Sequence, residues 1–303
     1  MSSSVPDLTA ILVNYNAGDE LRAALASIAA EMTGRAWDGF VVDNASVDGS
    51  SAIAGEFPAV TLIANRHNVG FGRAVNQALA RARAPFVLVM NPDCRLRPGA
   101  VAALEAELRQ HPWCALAGPR ILNPDGSVQG SARGDPDMLT GLFGRSAALR
   151  RLLPGLPVSK RNVLDEATRE GSPSVVVDWL SGACVLARRE ALAAIGGFDE
   201  RYFLYWEDAD LCRRLRARGA HVRYVPSAVA VHRVGHSSRT ARVSSLRAFH
   251  ESAYVYYATH VAPGALNPKR PLARVLLAVR CWWLLRTGAD AGPAADQPPQ
   301  EGA

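Results

Sequence analysis

Two hydrophobic periods alternate along the first third of the chain. Leu8–Asn14 (LTAILVN) is a near-continuous apolar run, the pattern of a strand covered on both faces. Across Gly18–Met32 the apolar positions Leu21, Ala24, Leu25 and Ile28 recur at helical spacing. Phe40–Asp43 and Val60–Ala64 predict two further strands, with a short helix between them over Asp48–Phe57. Phe71–Arg83 carries Ala74, Val75, Ala78 and Leu79 on one stripe and predicts a helix. Pro85–Asn91 (PFVLVMN) predicts a fourth buried strand, and Gly99–Gln110 the helix after it. Strands alternating with helices in this way predict βαβ units, a parallel sheet, and right-handed crossovers that put helices on both faces.

The remainder is less regular. Trp113–Gly118 predicts a strand, and Asn123-Pro124-Asp125-Gly126 a tight turn inside a hairpin. Ser131–Pro173 has no clear period and reads as an insertion with some helix around Met138–Leu153. Val175–Leu180 and Ala183–Ala187 predict strands, and Arg189–Ile195 a helix stopped by Gly196-Gly197. Glu207–Arg218 predicts a helix, His221–Val225 and Ala228–His232 short strands, and Ser244–His260 and Pro271–Arg286 two more helices. Asp290–Ala303, rich in Pro, Ala, Gln and Gly, reads as a disordered tail.

Composition narrows the class. With 303 residues, 49% hydrophobic and 20% charged, the chain is long enough for a large core and is neither disordered, collagenous nor coiled coil. Lys+Arg number 34 against 28 Asp+Glu, a net charge of +6, and Lys occurs only at Lys160 and Lys269. That balance suits an anionic partner. Cys94, Cys114, Cys184, Cys212 and Cys281 form no C-x-x-C pair and read as free thiols in a reducing compartment. No basic leader region and no apolar run of about 18 residues is present, so neither a signal peptide nor a spanning helix is expected.

In open parallel sheets, ligands bind beyond the carboxyl ends of the strands. Here those ends carry Asn14-Tyr15-Asn16, Asp43-Asn44-Ala45-Ser46, Asn65 and Asn91-Pro92-Asp93. Taken singly, each could be a turn or a helix cap; four on one sheet edge favour a binding cleft. No G-x-G-x-x-G follows the first strand and no G-K-[ST] is present, which argues against a nicotinamide cofactor and a P-loop.

The motifs N-Y-N, V-V-D-N-A-S-x-D-G-S, N-x-G-F-G-R-A-x-N, N-P-D, L-S-G-A-C, G-G-F-D-E-x-Y-F-L-Y-x-E-D-A-D and V-H-R-V-G-H-S-S occur in this order from about Leu8 to His260. Together the chain resembles glycosyltransferase family 2, nearest to its rhamnosyltransferase-like branch. The resemblance implies an α/β GT-A fold, a doubly wound, mostly parallel sheet with helices on both faces, plus C-terminal helices. It also implies a nucleotide-sugar donor, a divalent cation (Mg or Mn) and inversion at the anomeric carbon. The sugar expected is L-rhamnose from dTDP-rhamnose, transferred to a glycan or lipid-linked acceptor; UDP-galactofuranose, UDP-N-acetylhexosamines and a nucleotidyltransferase are the alternatives.

By position in those motifs, Asp93 and His232 are the expected metal ligands, with His236 the weaker choice, and Asn91 stands where the family has its first carboxylate. An amide there offers only a neutral carbonyl. Asp43 matches the carboxylate that accepts from a pyrimidine base, with Asn14, Asn16 and Asn44 beside it; Asp48 is equally an N-cap. Gly70 opens a helix whose N-terminus favours anions, with Arg73 and Asn76 on its first turns. Asp208, three residues before the core position Leu211, matches the general base, while Glu207 and Asp210 are served by the helix dipole. Ser181, Gly182, Trp206 and Glu207 are expected on the acceptor side, with Tyr202, Phe203 and Tyr205 either lining the cleft or packing.

Residues 1–262 are expected to form the catalytic domain and 263–303 an apolar helix with a tail. On that helix Arg274, Arg280 and Arg286 are six apart, which spreads them around the wheel, so membrane contact and packing on protein both stay open. A cytoplasmic enzyme, peripheral on the inner face of the plasma membrane and with no nucleic-acid partner, is the resulting expectation; the oligomeric state is undetermined by sequence.

Overall fold

Alternate side chains of the first strand, β1 (Leu8–Asn14), enter two different cores. Leu8, Ala10 and Leu12 pack with Leu21, Leu25 and Ile28 of α1 (Asp19–Glu31). Ile11 and Val13 pack with Ala74, Val75 and Ala78 of α2 (Phe71–Leu79). Cover on both sides is why this strand reads as an unbroken apolar run. The computed structural model describes residues 5–135, 171–233 and 242–288.

β1 pairs in parallel with β2 (Trp37–Asp43) and β4 (Phe86–Met90), and β2 in parallel with β3 (Val60–Ala64). The chain order reverses between β1 and β4, the place where such sheets open a cleft. The sheet continues in the order β3-β2-β1-β4-β10-β6-β11-β5. β10 (Cys184–Arg188) is antiparallel to β4 and to β6 (Cys114–Leu122), whereas β11 (His221–His232) is parallel to β6 and antiparallel to β5 (Cys94–Leu96). β8 (Val175–Val176) adds to β11, and β7 (Ala132–Arg133) pairs with β9 (Trp179–Leu180) in a separate ribbon. α3 (Ala100–Gln110) shares the α1 side; α4 (Arg189–Ala194) and α5 (Glu207–Ala217) share the α2 side. α6 (Arg242–Tyr256) runs into a π turn (Tyr257–Val261), and α7 (Lys269–Thr287) packs on α6.

Several elements differ from the sequence expectation. β2 starts three residues early because Asp38 is satisfied within the sheet, accepting the Thr9 hydroxyl at 2.6 Å. The segment Ser50–Glu56 is a 3-10 helix, and α2 stops at Leu79, after which Arg81 and Ala82 make tight three-residue turns. Val175–Leu180 is two short strands with different partners. His221–His232 is one strand: its ladder to β6 steps over the segment containing Pro226, which has no N–H to donate, and re-forms at Val229. β5 and β7 had no sequence signal. The hairpin turn is present, with Gly126 N–H donating to Asn123 O at 2.9 Å. The expected helix near Met138–Leu153, His236 and the tail Asp290–Ala303 lie outside the described residues. All five cysteines are unpaired. Among the described residues no helix is long and apolar enough to cross a membrane.

Candidate functional site

At the end of β1, Asn14 Nδ2 donates to Asp43 Oδ1 (2.7 Å) and lies 3.1 and 2.8 Å from the Ser46 and Ser50 hydroxyls. Asp43 Oδ2 accepts the Ser46 N–H at 3.0 Å. Asn16, left-handed at φ 52°, donates its N–H to Ser46 Oγ (2.9 Å) and accepts the Val47 N–H (2.8 Å). These three residues form one knot that shapes the turn after β2. Asn14 Oδ1, buried, has no partner among the described residues. The N-cap of the following 3-10 helix is Gly49, not Asp48, which stands one residue outside and accepts the N–H groups of Gly18 (2.9 Å) and Ser50 (3.0 Å).

Asn44 joins this knot to α2. Its Nδ2 donates to Asn68 Oδ1 (3.1 Å) and Gly70 O (3.3 Å), and its Oδ1 accepts from Asn65 (2.9 Å), which bonds Gln77 in turn. Gly70 has φ 88°, and a Cβ there would stand 2.7 Å from Phe203 O, the carbonyl to which Phe71 N–H donates at 2.8 Å. Only glycine satisfies both the backbone and the contact. Arg73 is half exposed, 3.6 Å from Glu200. Asn76 is occupied elsewhere than the cleft: it accepts the Phe198 N–H (2.9 Å) and donates to Phe198 O (2.8 Å), clamping the loop before α5.

Beyond β4, Asn91 N–H donates to Ala183 O (2.9 Å), and β11 brings His232 across the sheet edge to this turn. His232 Nε2 lies 3.1 Å from Asp93 Oδ1 and 3.3 Å from Asn91 Nδ2. Gln129 was not anticipated. Its Nε2 donates to His232 O and Asn123 Oδ1, both at 2.7 Å, which turns its Oε1 toward His232 Nδ1 at 3.0 Å. Nδ1 therefore carries a proton toward Gln129, and the gap between Nε2 and Asp93 is closed either by a second proton, which Nε2 donates to the carboxylate, or by a cation bound by both. Among the described residues no group of three His, Cys, Asp or Glu side chains is assembled; the donors gathered here are Asp93, His232 and the Asn91 amide.

Asp208 stands on the first turn of α5, partly buried. Its Oδ2 accepts the Gly182 N–H (2.9 Å) and its Oδ1 the Ala209 N–H (2.8 Å). The preceding Tyr205 and Trp206 are both left-handed, at φ 67° and 69°, a strained pair for residues with side chains. Trp206 packs with tilted rings against Phe249 (5.7 Å) and Tyr256 (5.3 Å), and among the described residues neither its Nε1 nor Glu207 Oε2 has a partner. Burial, reinforced by the charge of Asp208, holds the Glu207 carboxyl well above the ordinary carboxylate range. Ser181 is fixed by its N–H to Ser131 O at 2.9 Å. Of the other aromatics, Tyr202 is core and Phe203 is 44% exposed. Asp210 is fully buried, accepting from Arg214 Nε (2.6 Å) and His260 Nε2 (2.7 Å), and so fastens α5 to the π turn. The E-D-A-D spacing contains Asp210, but its partner fifty residues on has no sequence signal.

The sequence model of Glycosyl transferase family 2 matches residues 9–195, and that of Glycosyl transferase family group 2 matches residues 160–256. The chain is 36% identical over 292 residues to N-acetylglucosaminyl-diphospho-decaprenol L-rhamnosyltransferase of Mycobacterium tuberculosis, covering 92% of this chain and 93% of that one. Among solved structures, GalNAc-T7 with UDP, GalNAc and Mn2+ superposes with a TM-score of 0.58 at 14% identity, over 94% of this chain and 57% of that one. The mannosyltransferase PcManGT of Pyrobaculum calidifontis, in complex with GDP-Man and Mn2+, gives a TM-score of 0.56 at 18% identity, over 94% and 80%.

Proposed function

The chain belongs to glycosyltransferase family 2 and has the GT-A fold, and we propose that it transfers L-rhamnose from dTDP-L-rhamnose, with inversion, to a lipid-linked N-acetylglucosaminyl diphosphate acceptor in bacterial surface polysaccharide synthesis. The relative's acceptor and sugar support that choice. The observation that carries the reading is the step Gly182–Ala183: its N–H holds Asp208, and its next carbonyl holds Asn91. The proposed base and the proposed cation site thus meet at one turn beyond β4.

Asp208 takes the proton of the acceptor hydroxyl as that oxygen attacks the anomeric carbon, and the diphosphate leaves from the opposite face. Glu207, whose carboxyl burial holds well above the ordinary carboxylate range, and Trp206 stand on the acceptor side, where Glu207 Oε2 and Trp206 Nε1 have no partner among the described residues, and Ser181 and Gly182 bound the same space. Asn14, Asn16, Asp43, Asn44, Gly70 and Arg73 frame the nucleotide, and Asn76 is a positioning residue. Asp93 and His232 would hold Mg2+ or Mn2+, which would neutralise the departing diphosphate; Asn91 turns its amide nitrogen to His232 and would have to rotate to offer its carbonyl. A carboxylate oxygen and an imidazole nitrogen suit Mn2+, and the donor's diphosphate would supply further oxygens.

Residues 1–262 act as the catalytic unit, with 263–303 an appendage, and transfer takes place at the inner face of the membrane. The test is turnover of dTDP-rhamnose against UDP-galactofuranose and UDP-N-acetylglucosamine, with a polyprenyl-diphosphate N-acetylglucosamine acceptor and Mn2+ or Mg2+. Rhamnose transfer alone supports the reading; transfer from either UDP sugar, or tighter binding of GDP than of dTDP, overturns the donor.

A further inference from the structure

On α7 the arginines and the apolar side chains divide in a way that the helical wheel does not suggest. Arg270 donates to Ala258 O (3.2 Å) and Gly264 O (3.1 Å). Arg274 lies over the Tyr254 ring (5.1 Å), and Arg280 Nη1 donates to His250 Nε2 (2.7 Å). Three cations are thereby turned to α6 and the turns around it, with Ala273, Leu277 and Leu284 buried among them. The face turned away carries Leu272, Val275, Leu276, Val279, Trp282 and Trp283, each 40–61% exposed. At 1.5 Å per residue this stripe runs along a helix about 28 Å long. So continuous an exposed apolar face, ending in a tryptophan pair, is not ordinary surface.

The charge around the face selects its occupant. Between Ser252 and Gly288 there are five cations, Lys269, Arg270, Arg274, Arg280 and Arg286, and no Asp or Glu. Arg286 covers the Trp282 ring at 4.6 Å, at the outer end of the stripe. Two-fold pairing of this face with a second copy, helices antiparallel, would lay the Lys269 end on the Arg286 end and set like charges together. Residues 289–303 contain no aromatic and no Leu, Ile, Val or Met, so they do not offer an apolar counterpart. An apolar stripe on a helix whose own charged residues are all cations, with Glu251 of α6 facing Cys281 beside Arg247 and Arg280 and indole rings at one end, matches an anionic bilayer surface.

We propose that the outward face of α7 is a membrane-docking surface that lies in the plane of an anionic bilayer. It deepens the reading of a lipid-linked acceptor, yet the geometry of α7 carries it without reference to the sugar. The inward arginines hold the helix to α6, and α6 supplies Phe249 and Tyr256, against which Trp206 packs beside Asp208. Docking through α7 therefore sets the orientation in which the cleft meets the bilayer.

The test uses the full chain and its Val275→Glu/Val279→Glu variant, both positions being more than half exposed. Co-sedimentation is measured with vesicles of phosphatidylcholine alone and of phosphatidylcholine mixed with phosphatidylglycerol, at low and high salt. The wild type is expected to pellet with the anionic vesicles, less at high salt, with a blue shift of tryptophan emission. The variant is expected to bind at least about tenfold more weakly while keeping its melting temperature and its affinity for dTDP. Failure of the wild type to pellet, equal pelleting of the two proteins, or a dimer in light scattering that the substitutions dissociate would each overturn the proposal. None of these outcomes touches the donor reading, which dTDP binding reports separately.

Discussion

The Oδ2 atom of Asp208 accepts the backbone N–H of Gly182 at 2.9 Å, which fastens a carboxylate at the start of α5 to the turn that precedes β10. An added Cβ on Gly182 would stand 3.3 Å from Asp208 Cβ, so the two residues are in close contact as well as bonded. An amide keeps an oxygen for that bond, gives up the one that accepts the Ala209 N–H, and loses the basicity. Asp208→Asn is therefore expected to fold normally, to bind dTDP like the wild type, and to lower the transfer rate by about 10²–10⁴-fold. Parallel measurement of turnover and nucleotide affinity decides it. A collapse of both would mean that Asp208 is a structural cap.

Asp93→Ala is expected to abolish transfer and to weaken donor binding chiefly when Mn2+ or Mg2+ is present. Gln129→Leu, which removes the acceptor that fixes His232 Nδ1–H, should weaken Mn2+ affinity by about 10–100-fold with the proposed ligands Asp93 and His232 intact. Calorimetric titration of Mn2+ into each variant separates the two effects. Full activity of the wild type in excess chelator would remove the metal from the mechanism.

Asp43→Ala takes an acceptor from the buried Asn14 amide and one end from the turn that carries Ser46. Affinity should fall for dTDP and for dTDP-rhamnose by the same factor if Asp43 serves the nucleoside, as proposed. A loss confined to the sugar nucleotide would place Asp43 at the sugar instead.

Gly70→Ala combines a φ of 88° with a Cβ held 2.7 Å from the backbone carbonyl of Phe203. A stability loss of about 2–3 kcal/mol is expected from denaturant unfolding. Gly126→Ala, also left-handed but with open space around its Cβ, serves as the comparison and should cost about 1 kcal/mol.

His250 predicts how stability varies with pH. Its Nδ1 donates to Leu246 O (2.8 Å) and its Nε2 accepts from Arg280 (2.7 Å), so the neutral ring is fully used. Burial, with Arg280 beside it, pushes its pKa from 6.5 down to about 4. Above pH 6.5 neither state carries the proton; as pH falls from 6.5 toward 4 the unfolded chain takes up a proton that the folded one refuses, and stability is lost. The contribution is on the order of 1–3 kcal/mol. Melting temperatures across that range should fall more steeply for the wild type than for His250→Gln; equal slopes would remove His250 as the cause.

Much of this protein was decided by sequence alone. Unbroken apolar runs and the 3.6 period specify β1, β2, β4, α1 and α2, because each is covered by a partner, β1 on both sides, as Leu8, Ala10 and Leu12 show on one face and Ile11 and Val13 on the other. The motif order specified the family before any contact was known. What the tertiary structure alone decided are the contacts between segments far apart in the chain. Gln129 holds His232 across 103 residues, Asp210 reaches His260 across 50, and Asn76 clamps Phe198 across 122. None of these leaves a local signal, because a polar side chain reads the same whether it faces a ligand, solvent or a distant backbone. The arginines of α7 make the same point: their spacing spreads them around the wheel, and only the position of α6, with Tyr254 and His250, determines that three of them turn inward and the apolar stripe outward.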